Sequence, residues 1–199
     1  MNVYDFDKTI YDGDSALDFY LFCLTRNIKI LAVIPAQLLW AFFYFVKIKT
    51  KTQCKEKFFS FLYYIDNIDC MADEFWNEKM RKIKQWYLKQ KTEDDVWVSA
   101  SPEFLLRPAA EILQVRNIIA SKVNPKTGRF NSLNCYGKEK ASRFREQFPD
   151  IEVDSVYSDS LSDAPLFNLG KNAFVVKGDK MRRLPLESIA GPARFGRFL

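Results

Sequence analysis

Apolar residues along this chain follow two rhythms. Short runs rich in Val, Ile, Tyr and Trp occur near 2–6, 96–100, 117–120, 153–158 and 173–176, and they predict β-strands. Helical patterns fill the gaps between the later runs. Ser101-Pro102 reads as an N-cap followed by proline at the first helical position, opening a helix to about Val115. Pro108 is expected to kink that helix. Lys138 to Phe148 and Asp163 to Leu169 read as further helices, with Gly170 at the position just after the second. Pro125-Lys126-Thr127-Gly128-Arg129 predicts a turn, a hairpin tip over the core. Strands alternating with helices predict a doubly wound α/β core with a mainly parallel sheet. In such a sheet ligands gather at the carboxyl ends of the strands.

Residues 14–91 break the alternation. They read as four helices, about 14–26, 29–47, 51–65 and 71–91. The expected organisation is therefore a core from 1–13 and 92–199, with an all-helical cap, 14–91, inserted into it. Pro185 to Leu199 shows no pattern and is expected to be peripheral and partly disordered. Within the insertion, Ile30 to Val46 is 17 residues without a charge. A helix of that length spans about 25 Å, whereas a membrane span wants about 20 apolar residues. Pro35 and Gln37 weaken the run further. A helix that is apolar on every side is normally buried all round, and a small cap has little interior to offer. Trp40, Phe42, Phe43 and Phe45 are therefore expected to meet an acyl chain, a bilayer surface or another subunit, the alternative being packing inside the cap.

Composition narrows the chemistry. The chain of 199 residues can hold one full domain and a smaller module. It has no His, which excludes Ser-His-Asp and Cys-His catalysis and His-ligated zinc. Acid–base work falls to carboxylates or lysine. Cys23, Cys54, Cys70 and Cys135 lack metal-type spacing and read as thiols of a reducing compartment, which predicts a cytoplasmic protein, with membrane association as an addition. No signal peptide fits an N-terminus that starts directly on a strand and its acids. Residues 13–91 carry 13 Lys or Arg and 8 Asp or Glu, so the whole net charge of +5 sits there. A basic cap can attract phosphorylated substrates or an anionic membrane surface; a solvated lysine-rich face is the alternative. No nucleic-acid partner is expected.

The candidate chemistry begins at Asp5-Phe6-Asp7-Lys8-Thr9, on the loop leaving the first strand. Two carboxylates two residues apart, followed by a hydroxyl, suit Mg²⁺-dependent phosphoryl transfer. One can attack phosphorus and the other can shuttle a proton. Further along come a strand ending in hydroxyls, Val96-Trp97-Val98-Ser99-Ala100-Ser101, and a helix opened by Gly137-Lys138-Glu139-Lys140. A last strand ends in acids, Val156-Tyr157-Ser158-Asp159-Ser160-Leu161-Ser162-Asp163. Strand–carboxylate, strand–hydroxyl, lysine, strand–carboxylates is the motif order of the haloacid dehalogenase superfamily, and the chain resembles that superfamily from Met1 to about Lys177.

The resemblance implies a Rossmann-like core and a role for each residue. Asp5 is the nucleophile that forms an aspartyl-phosphate, and Asp7 is the general acid and base. Asp7 also selects phosphoryl chemistry over dehalogenation. Thr9 orders the loop. Ser99, the backbone at Ala100, and Ser101 face the phosphoryl group, although capping is the competing role for Ser101. Lys140, with Lys138 as its rival, contacts nucleophile and phosphoryl oxygens. Mg²⁺ is held by Asp5, the backbone carbonyl of Asp7, and Asp159, with Asp163 acting through water or by orienting Lys140. Helix capping is the alternative for Asp163.

An insertion after the first motif resembles the phosphoserine-phosphatase-like branch. So does Thr127-Gly128-Arg129 followed by Asn134 to Lys140. Two departures point away from phosphoserine phosphatase itself. The fourth motif is Ser158-Asp159-Ser160-Leu161-Ser162-Asp163 in place of a Gly-Asp-Gly type, and Tyr11-Asp12-Gly13-Asp14-Ser15 contains no Glu. Tyr157-Ser158-Asp159-Ser160, Asp163 and Pro165-Leu166 resemble the phosphatidylglycerophosphate phosphatases of the superfamily, which implies a lipid phosphomonoester. A soluble small phosphomonoester, phosphoserine included, is the second reading. A mutase and a non-catalytic membrane- or protein-binding module on the same fold are the others.

Overall fold

Side chains alternate across a strand, and here the alternation sorts the core by shape. In the computed structural model, which describes residues 1–185, the strands β1 (Asn2–Tyr4), β2 (Val96–Pro102), β3 (Asn117–Ser121), β4 (Val153–Ser158), β5 (Gly170–Lys177) and β6 (Lys180–Leu184) form one sheet in the order β3-β2-β1-β4-β5-β6. All neighbours are parallel except β5 and β6. Tyr4 sits beside Trp97 and Tyr157, and Tyr157 beside Phe174, so one face is a row of aromatic rings. Tyr4 stacks on Tyr157 at 4.7 Å between ring centres, and Tyr157 on Phe174 at 4.9 Å. One residue earlier in register, Val3, Val96, Val156 and Ala173 line the opposite face. The two faces carry separate cores. This is the doubly wound α/β arrangement expected from the sequence.

Between β1 and β2 the chain is helical: α1 (Ser15–Arg26), a 3-10 turn (Ile28–Val33), α2 (Ile34–Phe45), α3 (Lys51–Phe58), a second 3-10 stretch (Phe59–Tyr64), α4 (Ile68–Lys79) and, after Met80–Lys82, α5 (Gln85–Gln90). Phe19, Phe61, Phe75 and Trp76 from this segment join the aromatic-face core with Tyr4, Phe6 and Trp97. The segment is thus packed into the sheet's own core at its base. The expected helix over 29–47 divides at Ile34, because Pro35 lacks the N–H an interior position needs and sits in the first turn of α2.

No residue of α2 is buried. Leu38, Leu39, Phe42 and Phe45 are exposed, Phe45 at 83%. Gln37 turns inward: its Oε1 accepts from Tyr20 Oη at 2.9 Å and its Nε2 donates to the Phe58 carbonyl at 2.9 Å. The stretch Ile28–Phe45 is long and apolar enough to cross a membrane by length and composition alone, and 6% of it is buried.

The remaining helices are α6 (Glu103–Ile112), α7 (Lys138–Gln147) and α8 (Ala164–Phe167). Several local expectations need correction. Strand β2 runs on through Ser101, so Pro102 itself caps α6 and Ser101 is not its N-cap. Helix α6, which includes Pro108, stops at Ile112, short of the expected Val115: Gln114 turns left-handed and the Val115 N–H closes on the Ala110 carbonyl. Gly170 does not terminate a helix. It opens β5, where an added Cβ would lie 2.8 Å from Val156 Cγ2. The turn at Pro125–Arg129 is present, closed by the Gly128 N–H on the Asn124 carbonyl. Its Gly128, at φ +71°, lies so close to the helical segment that a Cβ would stand 2.4 Å from the Phe59 carbonyl oxygen. Strand β6 was not expected from the sequence. The tail read as peripheral lies, from residue 186 on, outside the described residues.

Candidate active site

Strand β1 delivers Asp5 to the carboxyl edge of the sheet, where the Asp5 N–H donates to the Tyr157 carbonyl at 2.8 Å. The chain then folds back on itself. Ile10 and Tyr11 N–H both donate to the Phe6 carbonyl, and Lys8 adopts φ 60° with its N–H on Gly13 O. Lys84 Nζ braces the bend by donating to the carbonyls of Lys8 (2.8 Å) and Gly178 (2.6 Å). The first carboxylate is thereby held at the floor of a cavity of about 520 Å³.

Five sequence-predicted residues, Asp5, Thr9, Lys140, Asp159 and Asp163, are linked there. Lys140, on the first turn of α7, is buried and its Nζ donates to Asp5 Oδ1 at 2.6 Å and to Asp163 Oδ2 at 2.7 Å. Ser158 Oγ also donates to Asp163 Oδ2, at 2.7 Å. Thr9 Oγ1 donates to Asp5 Oδ2 at 3.3 Å and accepts the Asp159 N–H at 2.9 Å, so it links the first and last motifs. Lys138 is exposed at the helix start. Burial pushes the Asp5 carboxyl up from the ordinary aspartate range, and the Lys140 ammonium pulls against that shift. Asp163 is raised for the same reason, again opposed by Lys140. Burial disfavours the charge on Lys140, but Asp5 and Asp163 outweigh it and hold its pKa above the usual lysine value.

Asp7 lies in a different setting. Its Oδ1 accepts the Ser15 N–H at 2.6 Å and its Oδ2 accepts Ser101 Oγ at 2.5 Å. Burial, with Asp14 nearby, pushes the Asp7 carboxyl up to about 6. A group titrating there can both give and take a proton near neutrality. Ser99 is fully buried, and its Oγ accepts the Ser101 N–H at 3.0 Å. The cavity wall at this strand end is formed by Ala100 and Ser101, and Ser99 stands behind them.

The donor set suits a hard cation. Asp5 and Asp159 face the same cavity, and the Asp159 charge contributes to raising Asp5. Among the described residues the Asp159 carboxylate takes no hydrogen bond or ion pair. Both Asp7 side-chain oxygens are engaged, which leaves its backbone carbonyl. Asp163 is committed to Lys140 and Ser158. Among the described residues no three Asp, Glu, His or Cys side chains converge to hold a metal alone. Two carboxylates, a carbonyl and water make a set of oxygen ligands of the kind Mg²⁺ takes.

Lys55 was not singled out by the sequence. It reaches from α3 to donate to the Ala100 carbonyl at 2.9 Å, with Asn134 Oδ1 at 3.4 Å. Burial lowers it to about 8, and Asp7 and Asp14 oppose that shift. One lysine among the many of the insertion carries no spacing signal. Ser15 and Ser158 were likewise unassigned, because their roles depend on which chain segments the fold brings together.

The site thus gathers strand-end carboxylates around a buried lysine on a doubly wound sheet. The haloacid dehalogenase-like hydrolase family model matches residues 3–168, and the chain belongs to that family. Solved structures share the fold at low identity. A protein of unknown function from Bordetella pertussis Tohama I aligns at TM-score 0.62 and 20% identity, over 83% of this chain and 84% of its own. A phosphoserine phosphohydrolase-like protein from Francisella tularensis subsp. tularensis SCHU S4 aligns at 0.53 and 19%, over 87% and 86%. A HAD family hydrolase from Salmonella enterica subsp. enterica serovar Typhi aligns at 0.54 and 11%, over 84% and 59%. No curated protein sequence matches the chain significantly.

Proposed function

We propose that this protein is a Mg²⁺-dependent phosphomonoester hydrolase working through an aspartyl-phosphate on Asp5. The observation that carries the reading is the pairing of two unlike carboxyls on one cavity. Asp5 is held against Lys140 at 2.6 Å, and Asp7, two residues on, is raised to about 6. Asp5 attacks phosphorus, and Asp7 protonates the leaving alkoxide. Asp7 then takes a proton from the water that cleaves the acyl-phosphate. Lys140 offsets the charge gathering on the phosphoryl oxygens, with Asp163 positioning it. Ser101 and the backbone at Ala100 form the phosphoryl side of the site; Ser99, expected there from the sequence, is buried behind them and holds the Ser101 N–H. Bound Mg²⁺, on Asp5, Asp159 and the Asp7 carbonyl, supplies electrostatic stabilisation of the transferring group. Residues 14–91 act as the cap over this site.

We read the substrate as a phosphomonoester with an apolar tail, of the phosphatidylglycerophosphate kind, and the protein as cytoplasmic with peripheral membrane contact through α2. The exposed apolar face of α2 supports this, with Lys29 before it and Lys47, Lys49 and Lys51 after it. A soluble phosphomonoester is the competing substrate class. A phosphate-release screen across phosphoserine, sugar phosphates and phosphatidylglycerophosphate separates the two.

Two outcomes are expected. EDTA should abolish phosphate release and Mg²⁺ should restore it, with Ca²⁺ a poor substitute because of its looser coordination. Asp159→Ala should raise the Mg²⁺ requirement sharply, and Asp163→Ala less. Full activity after exhaustive dialysis against EDTA would sink the metal assignment. Separately, the protein should sediment with anionic liposomes, more at low salt than high, since each lysine near such a surface contributes about 1 kcal/mol within a Debye length. Phe42→Ser with Phe45→Ser, both exposed, should weaken that sedimentation with little change in melting temperature. Equal sedimentation of the double variant would remove α2 as the contact.

A further inference from the structure

The helical segment holds a second cavity, about 510 Å³, between α1, α2 and α3. Its walls are mainly apolar, with Ile34, Leu38, Ala41 and Tyr44 contributed by α2, and no Asp or Glu lines it. Lys51, Lys55 and Phe58 line both this cavity and the catalytic one. The two spaces therefore meet along a shared wall. On the catalytic side of that wall lie Asp5, Asp7 and Lys140, and on the far side a groove of the size and character of a small-ligand site. The two lysines stand at the junction. Lys55 donates to the Ala100 carbonyl of the catalytic strand end, and the Lys51 ammonium lies 3.4 Å from the centre of the Tyr136 ring.

We infer that this groove is the subsite for the acyl chain of a lipid phosphomonoester, whose phosphate sits at Asp5 and whose chain passes Phe58 into the space under α2. The inference rests on the phosphomonoesterase reading above and adds to it where the chain lies. Three features fit an amphiphile in this direction. Cationic groups stand where the anionic end enters, apolar walls stand where the tail would lie, and the groove lacks the acids that line the catalytic cavity. The arrangement also accounts for Gln37. Its two hydrogen bonds, to Tyr20 and to the Phe58 carbonyl, hold α2 across α1 and α3 and so fix the groove's width.

The test uses n-alkylphosphonates of increasing chain length, from methylphosphonate upward, below their micelle concentrations and without any bilayer. Binding is titrated calorimetrically to the whole protein with Mg²⁺, and phosphate release from the matching alkyl phosphates is assayed alongside. Affinity should rise about fourfold for each methylene that enters the groove and level off when it is full. Ala41→Trp, which fills the groove from α2, and Leu38→Lys, which charges its wall, should both flatten that rise, with melting scans checking that each variant folds. Binding of methylphosphonate with no gain along the series would overturn the inference and leave the hydrolase reading intact. A rise that persists unchanged in both folded variants would place the chain elsewhere and also overturn it. A rise with chain length but no phosphate release from any ester would keep the subsite and remove the hydrolase reading.

Discussion

Asp5→Asn should lower phosphate release by about three orders of magnitude or more while leaving a folded protein. The size of the loss follows from chemistry: an amide oxygen cannot form the acyl-phosphate, and loss of an activated nucleophile commonly costs this much. The survival of the fold follows from the charge arrangement. Lys140 keeps Asp163 at 2.7 Å when the Asp5 charge is removed. The buried set changes from two carboxylates on one ammonium to one on one. An Asn at this position can still accept from Lys140 through Oδ1, with its Nδ2 turned as a donor toward Thr9 Oγ1. The variant should therefore melt no lower than the parent, and higher if relief of carboxylate burial dominates, the pattern expected where a strained charge serves activity at the expense of stability. Phosphate release and a melting scan on one preparation decide it. Retention of more than a few per cent of activity would rule out Asp5 as nucleophile.

The core of the site was legible because its chemistry is attached to strand ends, and strands are legible. Val3 and Tyr4 alternate between an aliphatic and an aromatic face, as do Val96 and Trp97, and Val156 and Tyr157. That alternation marks β1 and β4, and Asp5 and Asp159 lie just past their ends, whereas β2 runs three residues beyond Ser99. The sequence was weaker where a residue's role is set by a distant segment. Ser101 looked like a helix cap from its neighbour Pro102, but Asp7, ninety-four positions away, takes its hydroxyl. Lys55 has no local signature at all. Gly170 resembled a helix terminator because its close approach to Val156 is invisible in one dimension.

Strand β6 failed for another reason. Lys180-Met181-Arg182-Arg183 has no apolar alternation, because it is an exposed edge strand, and edges are kept charged against further pairing. The Gly178-Asp179 pair before it, with Gly178 at φ 57° and Lys177 opposite Lys180, is a two-residue hairpin signal that could have revealed it. The sequence leaves the apolar run 30–46 with several possible partners, and the fold narrows them. The helix is not interior, since none of α2 is buried. Trp40 and Phe43 are half-buried, while Leu39, Phe42 and Phe45 are exposed.

Removing Lys140 should do the opposite of removing Asp5. Lys140→Met keeps the length of the side chain but leaves Asp5 and Asp163 facing each other, both buried, without a counter-charge. Deleting one partner of a buried ion pair costs about 3–5 kcal/mol. In a chain of this size that is a fall in melting temperature of roughly 6–20 °C. The pH dependence has a definite sign. Burial already pushes both carboxyls upward from the ordinary range, and in the parent Lys140 opposes it. With the ammonium gone both rise further, so the folded variant binds more protons than its unfolded chain and loses stability as pH increases. The deficit relative to the parent, measured in metal-free buffer, should therefore be largest near pH 8 and shrink toward pH 5. Adding Asp5→Asn and Asp163→Asn to Lys140→Met should recover most of the lost stability, since amides need no counter-ion, while activity stays absent. A Lys140→Met protein that melts with the parent at pH 8, or whose deficit grows on acidification, would show that Lys140 does not neutralise these acids in the folded protein. The catalytic role drawn from that contact would then fail with it.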